Sequence, residues 1–432
     1  MTASDTHGAI DAVWRIESAK LIAKLARMVR DVGLAEEFAQ DALVTALEQW
    51  PEKGVPDNPG AWLMAVAKHR ALDRLRRSKL LEEKHEELGH ELELRQEMAE
   101  QDLAAALDDD IDDDIGDDLL RLVFTACHPV LSSEARVALT LRLLGGLSTD
   151  EIARAFLVPE PTVAQRIVRA KRTLAEARVP FEVPRANELA NRLSSVLEVV
   201  YLIFNEGYSA SAGDDWMRPT LCEEALRLGR ILAEFVAQEP EVHGLVALME
   251  IQASRAVARI GPSGEPILLF DQNRARWDQL LIRRGLAALD RAEKLGGARG
   301  PYALQAAIAA CHARAPDPAA TDWARIAALY DALAQLAPSP IVELNRAVAI
   351  SMAFGPAEGL ALVDALTSDP TLKNYHLLPS VRGDLLAKLG RFDEACGEFG
   401  RAASLTRNAR ERELLLDRAS ACARETEPRT PK

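Results

Sequence analysis

Aromatic residues make up only 5% of the chain, and alternating runs of β-branched residues are scarce. Both shortages argue against strands, and a chain dominated by Ala, Leu, Glu and Arg is expected to be all-α. Cysteine is also sparse. Cys127, Cys222, Cys311, Cys396 and Cys422 lie far apart with no CxxC pair, so neither a disulfide framework nor a zinc site is signalled. No stretch of about 18 uncharged apolar residues is present, PYALQAAIAAC from Pro301 being too short to span a bilayer, and the N-terminus lacks the basic-then-apolar order of a signal peptide. A cytoplasmic chain with buried, reduced thiols and no membrane partner is the expectation.

P-loop, GxSxG, GxGxxG and HExxH arrangements are missing too. Glu206, Asp214, Asp271 and the neighbouring Cys311 and His312 are the residues an enzyme in the C-terminal half would use. A Cys-His pair within an alanine-rich helix usually packs, so no enzyme and no cofactor are expected. The aspartates before Gly116 do not form an EF-hand, because that glycine would place Ile111 and Ile115 at ligand positions. No metal is expected either.

What the chain does have is unevenly placed charge. The formal net charge is -14, yet Glu82 to Asp118 alone holds 17 acids against two bases. The remainder is close to neutral, and two basic clusters flank the acidic stretch. Lys68, Arg70, Arg74, Arg76, Arg77 and Lys79 precede it; Arg166, Arg169, Lys171, Arg172 and Arg178 follow. A basic, acidic, basic order suggests two nucleic-acid surfaces joined by a tether.

The second cluster falls in STDEIARAFLVPEPTVAQRIVRAKR, residues 148 to 172. Ser148 and Glu151 have capping-box spacing, so a helix is predicted to begin there. Ile152, Ala153 and Phe156 would form its apolar face. Pro159 and Pro161 interrupt helical hydrogen bonding, and Pro161 suits the first turn of a second helix. That helix has Val163, Ile167 and Ala170 on one side and Gln165, Arg166, Arg169 and Arg172 largely on the others. A helix-turn-helix reader needs this division between packing and reading; an amphipathic hairpin with a solvated basic face would share it.

Four segments follow from the pattern of breaks: a helical unit over 10–80, broken at Gly33 and at a loop from Pro51 to Gly60; an acidic, extended linker over 81–118; a helix-turn-helix unit over 119–182; and short helices over 185–425. Within the last, LGRFDEACGEFGRAASL places Gly390, Phe392, Ala395, Phe399, Ala402 and Leu405 at the small and aromatic positions of a tetratricopeptide (TPR) repeat. FGPAEGLALVDAL, about 35 residues earlier, fits one period more loosely. Such pairs bury their faces by stacking on neighbours.

Residues 33–77, with GLAEEFAQDALVTALEQW and NPGAWLMAVAKHRALDRLRR, resemble region 2 of bacterial extracytoplasmic-function (ECF) sigma factors. Residues 119–181, with LRLLGGLSTDEIA and TVAQRIVRAKRTL, resemble region 4 of the same factors. The long extension, with FNEGY, ATDWARIAALYDAL and PSPIVELNRAVA, is similar to that of the subgroup whose C-terminal domain is TPR-like. The resemblance implies a promoter-specificity factor that binds core RNA polymerase through the β′ clamp helices and the β flap. It implies a docking face at Glu36, Glu37, Gln40, Asp41, Leu43, Leu47 and Trp50. Contacts to the minus-10 element would come from Asn58, Trp62, Lys68, His69, Arg70, Asp73, Arg74, Arg76 and Arg77. Glu160, Thr162, Gln165, Arg166, Arg169, Lys171 and Arg172 would meet the minus-35 element. His69 stands where many of these factors have asparagine, and Pro159, Glu160 and Pro161 depart from the commoner start of the reading helix. The acidic linker would be drawn into the polymerase channel that later holds RNA. The extension would tune activity through a small regulatory protein or a contact within the chain. A one-component regulator, with a helix-turn-helix and a ligand-binding helical domain, is the competing reading; it requires promoter binding without polymerase.

Overall fold

A computed structural model describes residues 3–83, 115–156, 158–184 and 186–426, with side chains left aside for 3–6, 75–83, 115–117, 186–187 and 426. The acidic stretch assigned to the linker lies mostly outside the described residues. Regular structure among them is helical, apart from one two-residue parallel pairing. The chain forms two compact units, one of residues 1–154 and 158–199, the other of residues 155–157 and 200–432.

In the first unit, α1 (Ala3–Val29) packs against α2 (Val32–Lys53), α3 (Pro59–Glu83) and α4 (Ile115–Ala126). Ile10, Leu21, Ile22 and Leu25 of α1 are buried in that core. The break expected at Gly33 falls slightly earlier. Arg30 takes the left-handed backbone (φ 54) and Asp31 caps α2, accepting from the Leu34 N–H at 2.9 Å. Nor does the loop start at Pro51. The helix runs through it to Lys53 and ends at Gly54 (φ 85), because a proline in the last turn removes only one bond while the Gly54 N–H still reaches the Trp50 carbonyl at 2.9 Å. Asn58 then caps α3 through Oδ1, which accepts from the Ala61 N–H at 3.0 Å.

α5 (Ser133–Leu143), α6 (Thr149–Phe156) and α7 (Glu160–Glu176) complete the helix-turn-helix segment. The capping box closes as its spacing requires: the Ser148 N–H donates to Glu151 Oε2 at 2.8 Å, and the Glu151 N–H to Ser148 Oγ at 3.1 Å. The first part of α8 (Ala186–Tyr208) belongs to this unit as well. Its Ser195 and Glu198 hold the buried Arg136 guanidinium of α5, and Arg192 donates to the Phe124 carbonyl at 2.8 Å.

The second unit is an array of helices: α9 (Pro219–Phe235), α10 (Pro240–Ala253), α11 (Gln279–Lys294), α12 (Pro301–Arg314), α13 (Trp323–Leu336), α14 (Pro340–Phe354), α15 (Pro356–Leu366), α16 (Leu377–Lys388), α17 (Phe392–Leu405) and α18 (Ala409–Thr426). Each packs on its sequence neighbour, and α10 also on α12. Gly355 (φ 117) and Gly390 (φ 75) make the tight turns into α15 and α17, a backbone that favours glycine. Leu344, Leu360, Leu385, Phe399 and Leu415 share one core across α14 to α18, which is the neighbour-on-neighbour burial of a repeat array. The short parallel pairing joins Ala212 and Gly213 to Arg407 and Asn408, and the buried Asn408 amide donates to the Ala210 and Asp215 carbonyls at 3.1 and 2.8 Å. Two loops nearly 200 residues apart are thereby tied together.

Candidate nucleic-acid interface

α7 has the construction of a reading helix. Val163, Ile167, Ala170 and Leu174 are buried, and α7 packs against α5. Pro161 lies in its first turn. Glu160, Gln165, Arg169 and Arg172 are exposed, whereas Thr162 and Arg166 are half-buried at the edge of that face. Arg172 also binds Glu176 at 2.6 Å one turn on, so its guanidinium is held along the helix. One residue on the open face was not singled out from the sequence. Val168 is 64% exposed, between the polar Gln165 and Arg169, where burial would be the norm for a side chain of its kind. Its signal in the sequence was its place off the Val163, Ile167 and Ala170 stripe. An apolar group on a major-groove face fits a thymine methyl.

On α3, His69, Arg70 and Arg74 are exposed and Lys68, Trp62 and Asp73 half-buried. The side chains of Arg76 and Arg77 lie outside the described residues. Trp62 meets Trp50 edge to face, ring centroids 5.3 Å apart, which fixes it beside the α2 core. His69 Nδ1 lies 3.7 Å from Asp73. Arg70 reaches back to α2, where it contacts Asp41 at 3.0 Å and the Thr45 hydroxyl at 2.9 Å. A docking candidate and a DNA candidate are therefore one ion pair.

The expected docking face of α2 divides. Glu37 and Leu47 are exposed, with Val44 beside them at 50%; Gln40, Asp41 and Leu43 are half-buried. Trp50 and Glu36 do not join this face, since each is only 2% exposed. Trp50 is core because its ring closes the α2–α3 angle against Trp62. Glu36 is buried because two cations from the helix-turn-helix segment close over it: Arg142 Nε donates to Oε1 at 2.6 Å, and the Lys171 ammonium meets Oε2. Gln40 adds its amide to the same carboxylate. Lys171, expected on phosphate, is thus engaged with α2. Arg15 to Glu151 (2.8 Å) and Arg27 to the buried Asp118 (3.4 Å) tie the segments together elsewhere.

Of the residues an enzyme in the C-terminal half would use, Glu206 is held by structural partners. Glu206 pairs with Arg218 and accepts from the Ser211 N–H at 3.2 Å. Burial pushes the Cys311 thiol up, and burial with Arg255 and Arg274 nearby pulls His312 down to about 4. A protonated thiol beside an uncharged imidazole is poorly suited to nucleophilic work. No helix among the described residues is long and apolar enough to cross a membrane.

Residues 16–80 match the sigma-70 region 2 family and residues 121–174 the sigma-70 region 4 family, while 192–293 match a family of unknown function, DUF6596. An uncharacterized protein of Rhizobium meliloti (strain 1021), R00370, is 44% identical over 389 residues, covering 90% of this chain and 89% of the relative. The probable ECF RNA polymerase sigma factor SigI of Mycobacterium tuberculosis is 27% identical over 182 residues, 42% of this chain and 59% of its own. The ECF RNA polymerase sigma factor SigK of Mycobacterium bovis is 29% identical over 152 residues, 34% and 74% respectively. With both sigma-70 regions present, in order, and each carried by the helices that its chemistry requires, the chain belongs to the extracytoplasmic-function sigma factors of RNA polymerase.

Proposed function

We propose that the exposed edge of α2, with Glu37, Leu47 and the half-buried Gln40, Asp41 and Leu43, docks on the β′ clamp helices of core polymerase. The basic side of α3, through Lys68, His69, Arg70 and Arg74, follows the phosphates of the opened minus-10 element, and α7 enters the major groove at minus-35. Region 4 also meets the β flap, and the C-terminal array tunes the activity of the whole. Nothing in this scheme requires bond-making chemistry by the chain.

The observation that carries the reading is α7 itself, a helix buried on one side, open on the other, and preceded by a closed capping box. A second feature constrains the mechanism. Elements near minus-10 and minus-35 are about 25 base pairs apart, roughly 85 Å of duplex at about 3.4 Å per step. Regions joined through Glu36 do not span that distance, so the contact of Glu36 with Arg142 and Lys171 belongs to the free chain and is released on the polymerase.

Footprinting on a cognate promoter tests the scheme. Core polymerase with the full chain is expected to protect both elements, and neither component alone to do so. Protection by the chain without polymerase would instead favour a one-component regulator.

A further inference from the structure

Two arginines in the first unit have a backbone conformation unusual for their type. Among the described residues, Arg30 (φ 54) and Arg178 (φ 48) are the non-glycine residues with positive φ. Arg30 ends α1, its N–H bonding the Ala26 carbonyl at 2.8 Å. Arg178 follows α7, and the Val179 N–H after it returns to the Leu174 carbonyl at 3.0 Å. Glycine is the usual residue at such a left-handed helix end, because an L side chain is strained there. Keeping arginine at both ends retains two guanidinium groups where glycine would fold more easily.

Both arginines line one cavity of about 880 Å³. Arg27, Arg121 and Lys171 share its wall, against the acids Asp31 and Glu182. Arg27 and Arg121 answer Asp118, Lys171 answers Glu36, and Asp31 caps α2. Arg30 and Arg178 are exposed and make no ion pair among the described residues. Complementing the α1 dipole does not explain Arg30, since Arg27 already occupies the last turn of that helix.

We propose that this cavity is a phosphate-binding site in which Arg30 and Arg178 grip the oxygens of a ligand bearing several phosphoryl groups, with Lys171 and Arg27 behind them. Guanidinium forks match phosphate oxygens in pairs, and several cations contributed by separate helices favour a multiply charged anion over a single carboxylate. Arg27 and Arg30 belong to region 2, Lys171 and Arg178 to region 4. A bound polyphosphate therefore bridges the two regions and holds them together. The inference does not rest on the promoter contacts proposed above.

Calorimetric titration of the full chain with inorganic tripolyphosphate, and separately with a short non-promoter duplex, tests it. Arg30→Gly and Arg178→Gly suit the left-handed backbone and remove only the side chain, and Arg30→Asn with Arg178→Asn is a second pair that tolerates the same turn. Each single variant is expected to weaken binding roughly tenfold and the double variant to abolish it, while Arg154→Gln, remote from the cavity, leaves it unchanged. An arginine-dependent loss confined to tripolyphosphate upholds the site with a free ligand; one confined to the duplex upholds it with a nucleic-acid backbone. Binding of neither probe, or binding unchanged in both double variants, overturns the proposal.

Discussion

Arg142 of α5 donates from Nε to Glu36 of α2 at 2.6 Å, across 106 residues of sequence, and so joins region 4 to region 2 through a carboxylate shut off from solvent. Breaking one side of a buried ion pair typically costs about 3–5 kcal/mol, because the partner keeps its desolvation penalty. Glu36→Gln leaves Arg142 and Lys171 facing a neutral amide. Labels on the exposed sides of α3 and α7 are expected to move apart in the free variant, as read by pulsed electron resonance, with each region still folded. Identical distance distributions in variant and parent would mean that packing alone holds the regions together.

Val168 lies open on the reading face of α7. If it covers a thymine methyl, Val168→Ser weakens the preference for thymine at one promoter position by roughly 1 kcal/mol, about fivefold, and leaves other positions alone. A binding matrix over minus-35 variants checks this. A uniform decrease would instead assign the residue to helix packing.

Arg74 is exposed on the basic side of α3. Its replacement by alanine is expected to lower the slope of log affinity against log salt by about one, the value for one lost phosphate contact. Arg70→Ala should act differently, since it also frees Asp41 and Thr45 of α2. An unchanged slope for Arg74→Ala refutes the phosphate role.

Ending the chain near Glu182, where the region 4 resemblance stops, removes the part of α8 that covers Arg136. That arginine is 8% exposed, with Ser195 and Glu198 as partners. Loss of both is expected to lower the stability of the first unit by several kcal/mol relative to a chain ending at Val199, of the order seen when a buried charge loses its partner. Denaturant melts of the two versions compare them directly; equal midpoints would show that Arg136 is rehydrated at little cost.

His312 gives the second unit a pH dependence. Its folded value, about 4, lies below the ordinary 6.5, so between those values the unfolded chain takes up a proton that the folded chain does not. The stabilisation from the neutral ring is whole above pH 6.5 and is lost as the pH falls toward 4. His312→Gln should flatten the melting temperature of that unit over this window. A parallel decline in variant and parent would point to another group.

Much of this organisation is legible from residue type alone. The capping box at Ser148, the apolar stripe of α7 and the turns at Gly355 and Gly390 are local, each decided within a few residues. Glu36 was the harder residue, because its fate depends on Arg142 and Lys171, more than a hundred positions away, and a solvated acid on an amphipathic helix looks the same in sequence. Trp50 was hidden similarly by its pairing with Trp62. The left-handed turns at Arg30 and Arg178 had no signal, since glycine is the residue that normally marks them.

In vitro transcription with purified core RNA polymerase on a cognate promoter tests the central claim most directly. Transcripts from one defined start site, present only when polymerase and the full chain are combined, are the expected result. Failure of the chain to direct initiation or to bind core polymerase, while it still binds promoter DNA by itself, would contradict it.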